Sequence, residues 1–168
     1  YVDYFVIVES IYNHKGEKRK LLFDINKFIK FKNKIIYIVH DHIPKNIMKL
    51  NKNETFDQKK NKQIFNAIYR ENEQRNYITK GLNEATNDDI IIISDIDEIP
   101  KLDSVNLSNI KDEIVIFTQD MFHYKFNLVI PNFKWHGSKI IKKKNLISPQ
   151  WLRNIKNKKY PIYRIDIL

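Results

Sequence analysis

The chain has 168 residues, with 30 lysines and arginines against 20 acidic residues and a net charge of +10. This length suits one domain with its own core. Cysteine is absent, which excludes disulfides and thiolate zinc sites. No stretch approaches about 18 uninterrupted apolar residues and no signal-peptide pattern occurs, so we expect no membrane-spanning helix.

The positive charge is spread over the whole sequence. Lysines occur in every segment rather than on one element, which is typical of a solvated surface. Specific nucleic-acid readout favours arginine, so we expect no specific nucleic-acid partner. The charge would attract anionic partners, including sugar nucleotides, acidic glycans or an anionic membrane. We expect a cytoplasmic protein, and its positive charge would also allow peripheral association with the inner face of the membrane.

The first predicted strand is Tyr4 to Glu9, which reads Y-F-V-I-V-E. Glu9 and Ser10 lie at its carboxyl end. If this strand is parallel to the strand that precedes Asp95, both ends open on the same edge of the sheet, where Glu9 would face a ligand. A loop-capping carboxylate is the alternative for Glu9. Leu21 to Phe31 then has the apolar spacing of a helix, and Ile35 to Val39 reads as a second buried strand.

Two histidines flank Asp41 directly after the second strand. His40 and His42 share one side of an extended chain, so a metal pair is conceivable. No third ligand is evident nearby in the sequence, and the favoured interpretation is a polar loop at a strand end.

A long helix is predicted from about Gln58 to Ala85, where apolar residues recur at intervals of three and four. Glu71 and Arg75 lie on or beside this stripe and can pair at i,i+4. A guanidinium here would also suit a diphosphate or a sugar hydroxyl. Gly81 costs about 1 kcal/mol relative to alanine within a helix. We therefore expect it to allow close packing against a neighbouring strand.

The central stretch is Asp88 to Pro100, read as D-D-I-I-I-I-S-D-I-D-E-I-P. Ile90 to Ile93 is apolar on both faces, which predicts a strand buried on both sides of a parallel sheet. Asp95 and Asp97 would project together from its extended carboxyl end, the edge where open α/β sheets bind ligands. Adjacent carboxylates suit Mg²⁺ or Mn²⁺ shared with phosphates. The alternative is a solvated acidic turn in which Asp97 or Asp103 caps a following helix.

Three further strands are predicted after Pro100, and they would extend the sheet with antiparallel members: Glu113 to Phe117, Met121 to Ile130 and Lys134 to Lys142. Tyr124 and Trp135 are candidates for stacking on a sugar ring, with core packing as the alternative. Asp120 is a candidate general base. Ser148 and Pro149 read as the N-cap and first residue of a helix, and residues 160–168 as a last strand.

Four stretches in order resemble glycosyltransferase family 17, which includes the enzyme that adds the bisecting N-acetylglucosamine to N-glycans. Ser94 to Pro100 resembles the S-D-x-D-E-I-P signature, and Val2 to Lys20 the V-D-x-F-V-x-V-E-S block with its G-x-x-K segment. Glu71 to Leu82 resembles the E-x-x-Q-R-N-x-I-x-x-G-L helix. Trp135 to Arg153 resembles the W-x-G segment and the helix after it. The combination spans most of the chain and is more specific than any single stretch.

The resemblance implies a fold, an activity and partners. The fold would be an α/β, GT-A-like nucleotide-sugar transferase domain over residues 1–168, with a mixed central sheet and flanking helices. The activity would be metal-dependent, inverting transfer of a hexose or N-acetylhexosamine to a glycan hydroxyl, with UDP-GlcNAc as the leading donor. The cofactor would be Mn²⁺ or Mg²⁺, and the partners a nucleotide-sugar donor and a glycan acceptor.

The resemblance also implies roles for individual residues. The metal ligands would be Asp95 and Asp97. Donor-binding residues would be Glu9, Ser10, Arg75, Asn76, Ser94 and Asp95. Acceptor-binding residues would be Tyr124, Trp135 and His136. The candidates for general base, in falling order, are Glu98, Asp120 and Glu9.

Two family blocks have no counterpart in this sequence. Family members normally carry an F-x-x-N-E-L-D-like segment before the first strand and a G-W-H-F-like segment near the end. We therefore expect a fragment, a trimmed chain or a shortened relative.

Two other classes of protein remain as alternatives. A haloacid-dehalogenase-type phosphatase also has D-x-D after an apolar strand. Ile99 stands where that class has threonine or valine, and no Asp-Asp pair follows. A non-catalytic basic binding module would leave the acidic pair unexplained.

Overall fold

The computed structural model describes residues 2–110, 113–125 and 127–155. The chain divides into two compact units, residues 1–84 and residues 85–168. Both helices and strands are present, which makes the chain a mixed α/β protein. In the described ranges, no helix has the length and apolar character needed to cross a bilayer. The predicted strand over residues 160–168 lies outside the described residues.

A parallel pair of strands forms the sheet of the first unit. Strand β1 is Phe5–Ser10 and strand β2 is Ile35–His40. Phe5 lies opposite Ile35, and Ser10 lies opposite His40, so the two carboxyl ends are adjacent. Both strands were predicted to within one residue at each end, because runs of β-branched and aromatic side chains are typical of strands.

The segment between these strands differs from the predicted helix. A 3₁₀ helix spans Ile25–Lys34 and is kinked at Phe28, so it begins four residues after the predicted start. The backbone amides of Leu22 and Phe23 donate to the Glu9 carboxylate at 2.7 and 3.0 Å. These bonds keep Leu22 and Phe23 in the loop before the helix. The Leu22 side chain is exposed.

Helix α1 spans Phe56–Asn76 and is followed by a 3₁₀ turn over Tyr77–Gly81. Thr55 and Gln58 form a reciprocal capping box, with bonds of 3.3 and 2.9 Å that satisfy two amides at the start of the helix. A Cβ on Gly81 would lie 2.8 Å from Val6 Cγ2. The prediction that Gly81 allows close packing against a strand is therefore confirmed.

The sheet of the second unit is antiparallel. Strand β3 is Ile90–Ile93, strand β4 is Val115–Phe122 and strand β5 is Val129–Lys142. Their order is β3-β5-β4, and β5 is antiparallel to both neighbours. Part of the predicted strand from Met121 to Ile130 is instead the turn between β4 and β5.

The arrangement of strands corrects the expectation of one mixed central sheet. Within the described residues, the strands form two small sheets, and β3 pairs antiparallel to β5 instead of lying in a parallel sheet. The physical reason is that an apolar run reports burial but not the direction of the neighbouring strand. Burial is confirmed for one face of the strand, where Ile91 and Ile93 are buried, whereas Ile90 and Ile92 on the other face are half-buried.

The core of the second unit is apolar. Ile110, Phe117 and Ile140 form a buried cluster, and Ile90 and Ile92 pack against it. Helix α2 spans Pro149–Asn154, and the Ser148 hydroxyl accepts a hydrogen bond from the Trp151 amide at 3.1 Å. The predicted N-cap and first helical residue are thus confirmed.

Candidate functional site

A tight turn follows β3 at the predicted acidic motif. The Glu98 amide donates to the Asp95 carbonyl at 3.0 Å, and the Asp95 amide donates to Glu98 Oε2 at 3.0 Å. These two bonds close the chain on itself immediately after the strand. The expectation that Asp95 and Asp97 project together from an extended backbone is therefore corrected.

Arg153 of α2 holds two carboxylates of this turn. Its Nε and Nη2 atoms donate to Asp95 Oδ2 at 3.0 and 2.5 Å, and Nη2 also donates to Glu98 Oε1 at 3.0 Å. The side chains of Arg153 and Glu98 are only 8% and 6% exposed. Charge-assisted bonds of this kind are strong and directional, so the turn is held in one arrangement.

Trp135 completes this network from β5. Its indole Nε1 donates to Glu98 Oε1 at 2.6 Å, and the Arg153 guanidinium carbon lies 5.3 Å from its ring centroid. The structure therefore brings together Asp95, Glu98 and Trp135, which were predicted as site residues. It adds Arg153, to which the sequence assigned no role. The resemblance to the family's final helix was the available signal, but nothing local pointed to its partner.

Asp97 lies at the tip of the turn with its side chain exposed. Among the described residues, its carboxylate has no hydrogen-bond partner, so it faces solvent. A hard divalent ion needs one or two protein carboxylates and takes its other ligands from water and phosphate oxygens. Asp97 meets this requirement, whereas an ion at Asp95 would compete with the Arg153 guanidinium. The residues of the turn thus fit such an ion shared with a diphosphate.

Small residues surround the network. The Ser94 hydroxyl donates to Ser138 Oγ at 2.7 Å, and the Ser138 amide donates to Gln119 Oε1 at 3.0 Å. A Cβ on Gly137 would lie 3.0 Å from the Glu98 carboxyl carbon and would overlap the Gln119 amide. Glycine at position 137 therefore makes room for the Gln119 and Glu98 side chains.

His136 contributes its backbone to a neighbouring contact. The buried Lys139 Nζ donates to the His136 carbonyl at 3.0 Å and to the Gly137 carbonyl at 2.6 Å. The His136 ring is half-buried. Its predicted role toward the acceptor stays a prediction.

Asp120 and Tyr124 have other surroundings. Asp120 lies within β4, opposite Lys134 of β5, and forms an ion pair with it. Tyr124 lies in the turn between the two strands with φ +62° and is 98% exposed. Both side chains are open to solvent, and their assignments to the base and the acceptor stay predictions.

In the first unit, the Glu9 carboxylate is surrounded by donors. It accepts bonds from Arg19 Nη1 at 2.9 Å, from the amides of Leu22 and Phe23, and from the Tyr37 hydroxyl at 2.8 Å. Burial raises the pKa of Glu9, but the four bonds outweigh it and leave the pKa below the ordinary value. Burial and Glu9 together raise the pKa of Tyr37 to about 12. These are the contacts of a loop-capping carboxylate.

The other predicted donor residues of this unit also have local partners. Ser10 Oγ accepts a bond from the Tyr12 amide at 3.1 Å. Arg75 Nη2 pairs with Glu71 Oε1 at 2.8 Å, one helical turn away. Asn76 is the exposed last residue of α1. The assignment of these residues and Glu9 to the donor stays a prediction.

The sequence named two members of a group of potential metal ligands, the pair His40 and His42, but not the third. His40, His42 and Glu73 place their ligand atoms within 4.8 Å of one another, and together they form a candidate metal-binding group. Burial and the nearby His42 lower the pKa of His40, although Glu73 opposes this. The third ligand was missed because Glu73 belongs to a helix far along the chain from the histidine pair.

Comparison with known proteins defines the class of this chain as a glycosyltransferase. The sequence model of Glycosyltransferase family 17 matches residues 1–148, most of the chain. The chain therefore belongs to this family and is an N-acetylglucosaminyltransferase-like enzyme. Membership implies a nucleotide-sugar donor and a glycan acceptor. No curated protein and no solved structure matches the chain.

Proposed function

We propose that the chain transfers a hexose or N-acetylhexosamine from a nucleotide sugar, with UDP-GlcNAc as the leading donor, to a glycan hydroxyl with inversion. The reaction is metal-dependent. The observation that carries this proposal is the acidic turn after β3, in which Asp97 is exposed while Asp95 and Glu98 are fixed by Arg153 and Trp135. Family membership supports the reaction class.

Asp97 would hold the Mn²⁺ or Mg²⁺ ion, because the Asp95 carboxylate is already engaged by the Arg153 guanidinium. When bound, the ion supplies Lewis-acid stabilisation of negative charge on the departing diphosphate. The protein's contribution is to fix the turn before the donor arrives, because preorganised groups need no rearrangement in the transition state. Arg153 and Trp135 supply this rigidity through four bonds to Asp95 and Glu98.

A carboxylate would take the proton of the acceptor hydroxyl, and it must reach that hydroxyl directly or through one water. Glu98 and Glu9 are buried and each already accepts several hydrogen bonds. Asp120 is 52% exposed, and its ion-pair partner Lys134 is also exposed. Accessibility therefore favours Asp120 as the base, with Glu98 positioning the turn.

Calorimetric titration with UDP-GlcNAc in the presence of Mn²⁺ tests the proposal. We expect Asp97→Asn to weaken donor binding by about 10-fold or more, because one charged ligand is worth at least about 1.4 kcal/mol. The substitution keeps the shape of an exposed side chain, so the fold should persist. Asp103→Asn changes another exposed aspartate of the second unit and is the matched control. It should bind the donor as tightly as wild type.

Two outcomes would contradict this function. Equal donor affinity for Asp97→Asn and wild type would remove the metal role of Asp97. Hydrolysis of an aryl phosphate, with no binding of a sugar nucleotide, would instead favour a phosphatase.

A further inference from the structure

Two imidazoles and one carboxylate converge at the carboxyl end of β2. His40 is the last residue of β2, His42 lies just beyond it, and Glu73 is on α1. His40 Nε2 is 3.2 Å from Glu73 Oε2, and His42 Nε2 is 3.7 Å from Glu73 Oε1. Each oxygen of one carboxylate therefore faces one ring nitrogen.

The other nitrogen of each ring has its own oxygen partner. His40 Nδ1 is 3.4 Å from Ser10 Oγ, and His42 Nδ1 is 3.4 Å from Asp41 Oδ1. Metal-binding histidines characteristically donate their second N–H to such an oxygen, which selects the tautomer and orients the ring. With the Nδ1 protons used in this way, both Nε2 lone pairs are directed toward Glu73.

Aromatic packing restricts the rotation of both rings. The centroids of His40 and His42 are 4.3 Å apart, and they lie 4.9 and 5.2 Å from the ring centroid of Tyr77. His40 is buried, whereas the side chains of His42 and Glu73 are 45% and 33% exposed. The cluster is thus preorganised on one side and open to solvent on the other.

We propose that His40, His42 and Glu73 bind a divalent transition-metal ion of the zinc type. Two ligands at about 2.1 Å from a tetrahedral ion are about 3.4 Å apart. The distances of 3.2 and 3.7 Å between nitrogen and oxygen lie on either side of this value. Three protein ligands leave a fourth position for water, as in zinc sites that are open to solvent.

The chemistry of the ligands selects the ion. Imidazole suits Zn²⁺, Cu²⁺, Ni²⁺ and Fe²⁺, whereas Mg²⁺ prefers oxygen alone. This site therefore takes a different class of ion from the one proposed for Asp97, and it does not depend on that proposal. Because Glu73 is on α1 and His40 is on β2, the ion would cross-link these two elements of the first unit.

The competing explanation is a purely structural cluster. Protonated Nε2 atoms of His40 and His42 would then donate to Glu73, and no ion would bind. The two explanations predict different affinities for a metal ion. Only the site proposed here would bind an ion, and it would do so through all three side chains at once.

Titration of the metal-free 168-residue chain with Zn²⁺ alone tests the proposal by calorimetry, and Co²⁺ provides a visible absorption signal. We expect His42→Ala to weaken zinc binding by more than about 100-fold. Even the loss of a residue that only hydrogen-bonds to a metal ligand lowers metal affinity by about 10–100-fold. His14→Ala is the matched control, since His14 is an exposed histidine of the same unit outside the cluster. Zn²⁺ should raise the unfolding temperature of wild type and His14→Ala but not of His42→Ala.

Glu73→Gln provides a second variant that retains an oxygen to accept bonds from the imidazoles. It should fold and should also bind zinc weakly. Equal zinc affinity in wild type, His42→Ala and Glu73→Gln would overturn the proposal, as would Mg²⁺ binding as tight as Zn²⁺ binding. Such a failure would leave the donor site at Asp97 untouched.

Discussion

The Glu9 carboxylate accepts bonds from a guanidinium, a phenol and two backbone amides, all within the first unit. A carboxylate accepts such bonds best when it is ionised. Folding therefore favours the charged form of Glu9, in agreement with its lowered pKa. The contribution of Glu9 to stability is present at pH values above the ordinary glutamate pKa. It is lost as the pH falls through the lower pKa of the folded state.

We expect Glu9→Gln to lower the free energy of unfolding by about 2 kcal/mol at pH 7, because at least one buried donor loses its charged acceptor. Below the ordinary glutamate pKa the variant should lose less stability than wild type. Urea unfolding at neutral and acidic pH measures both effects. Glu84→Gln, at an exposed position of the same unit, should follow wild type. Identical acid dependence of Glu9→Gln and wild type would contradict the structural role.

Single residues differ in how far the sequence could predict their part in a site. Asp95 and Glu98 were found because they belong to one short motif after an apolar strand. Arg153, which binds both, lies 58 and 55 positions from them. Glu73 lies 33 positions from His40. Such partners depend on how distant elements pack, and no local pattern encodes this.

At the scale of elements, Gly81 sets how closely the turn after α1 approaches β1. A Cβ at this position would overlap the Val6 side chain. We expect Gly81→Ala to destabilise the protein by about 1–3 kcal/mol, because overpacking outweighs the better helix propensity of alanine. Thermal or urea unfolding measures the change.

Val6→Ala supplies the matched background for this prediction. Removing the two Val6 methyl groups makes room for the new Cβ, so Gly81→Ala should cost less in a Val6→Ala chain than in wild type. A double-mutant cycle measures this coupling. Additive effects of the two substitutions would show that Gly81 is not limited by Val6.

Strand positions were predicted more accurately than strand partners. β1, β2 and β3 were placed within about one residue, since runs of isoleucine and valine define them locally. The pairing of β3 with β5 was not predictable, because burial on both faces looks the same in parallel and antiparallel sheets. The apolar pattern predicted a helix from Leu21, but the 3₁₀ helix begins at Ile25. The reason is that Glu9 binds the backbone just before it.

At the scale of the molecule, the two units differ in what they bury. Among the described residues, the buried apolar side chains other than Pro44 belong to the second unit, whereas the buried residues of the first unit include the polar Glu9, Ser10, His40 and Asn66. Segments with more buried apolar contacts open less often. We therefore expect the amides of β3 and β5 to exchange with deuterium more slowly than those of β1 and β2. Hydrogen-exchange mass spectrometry resolves the two groups, and faster exchange in β3 and β5 would contradict this.

The sequence was sufficient for the class of the molecule but not for its arrangement. Family membership and the mixed α/β character could be predicted from motifs and apolar patterns, because these do not depend on how the strands pair. The division into two units and the two separate sheets depend on contacts between distant residues.

The family match ends at residue 148, five positions before the guanidinium that bridges Asp95 and Glu98. A chain shortened to the matched region would lose this counter-charge and leave two like charges side by side. Repulsion between them would loosen the loop that presents Asp97. The turn that presents Asp97 therefore depends on α2, which lies beyond the region matched by the family's sequence model.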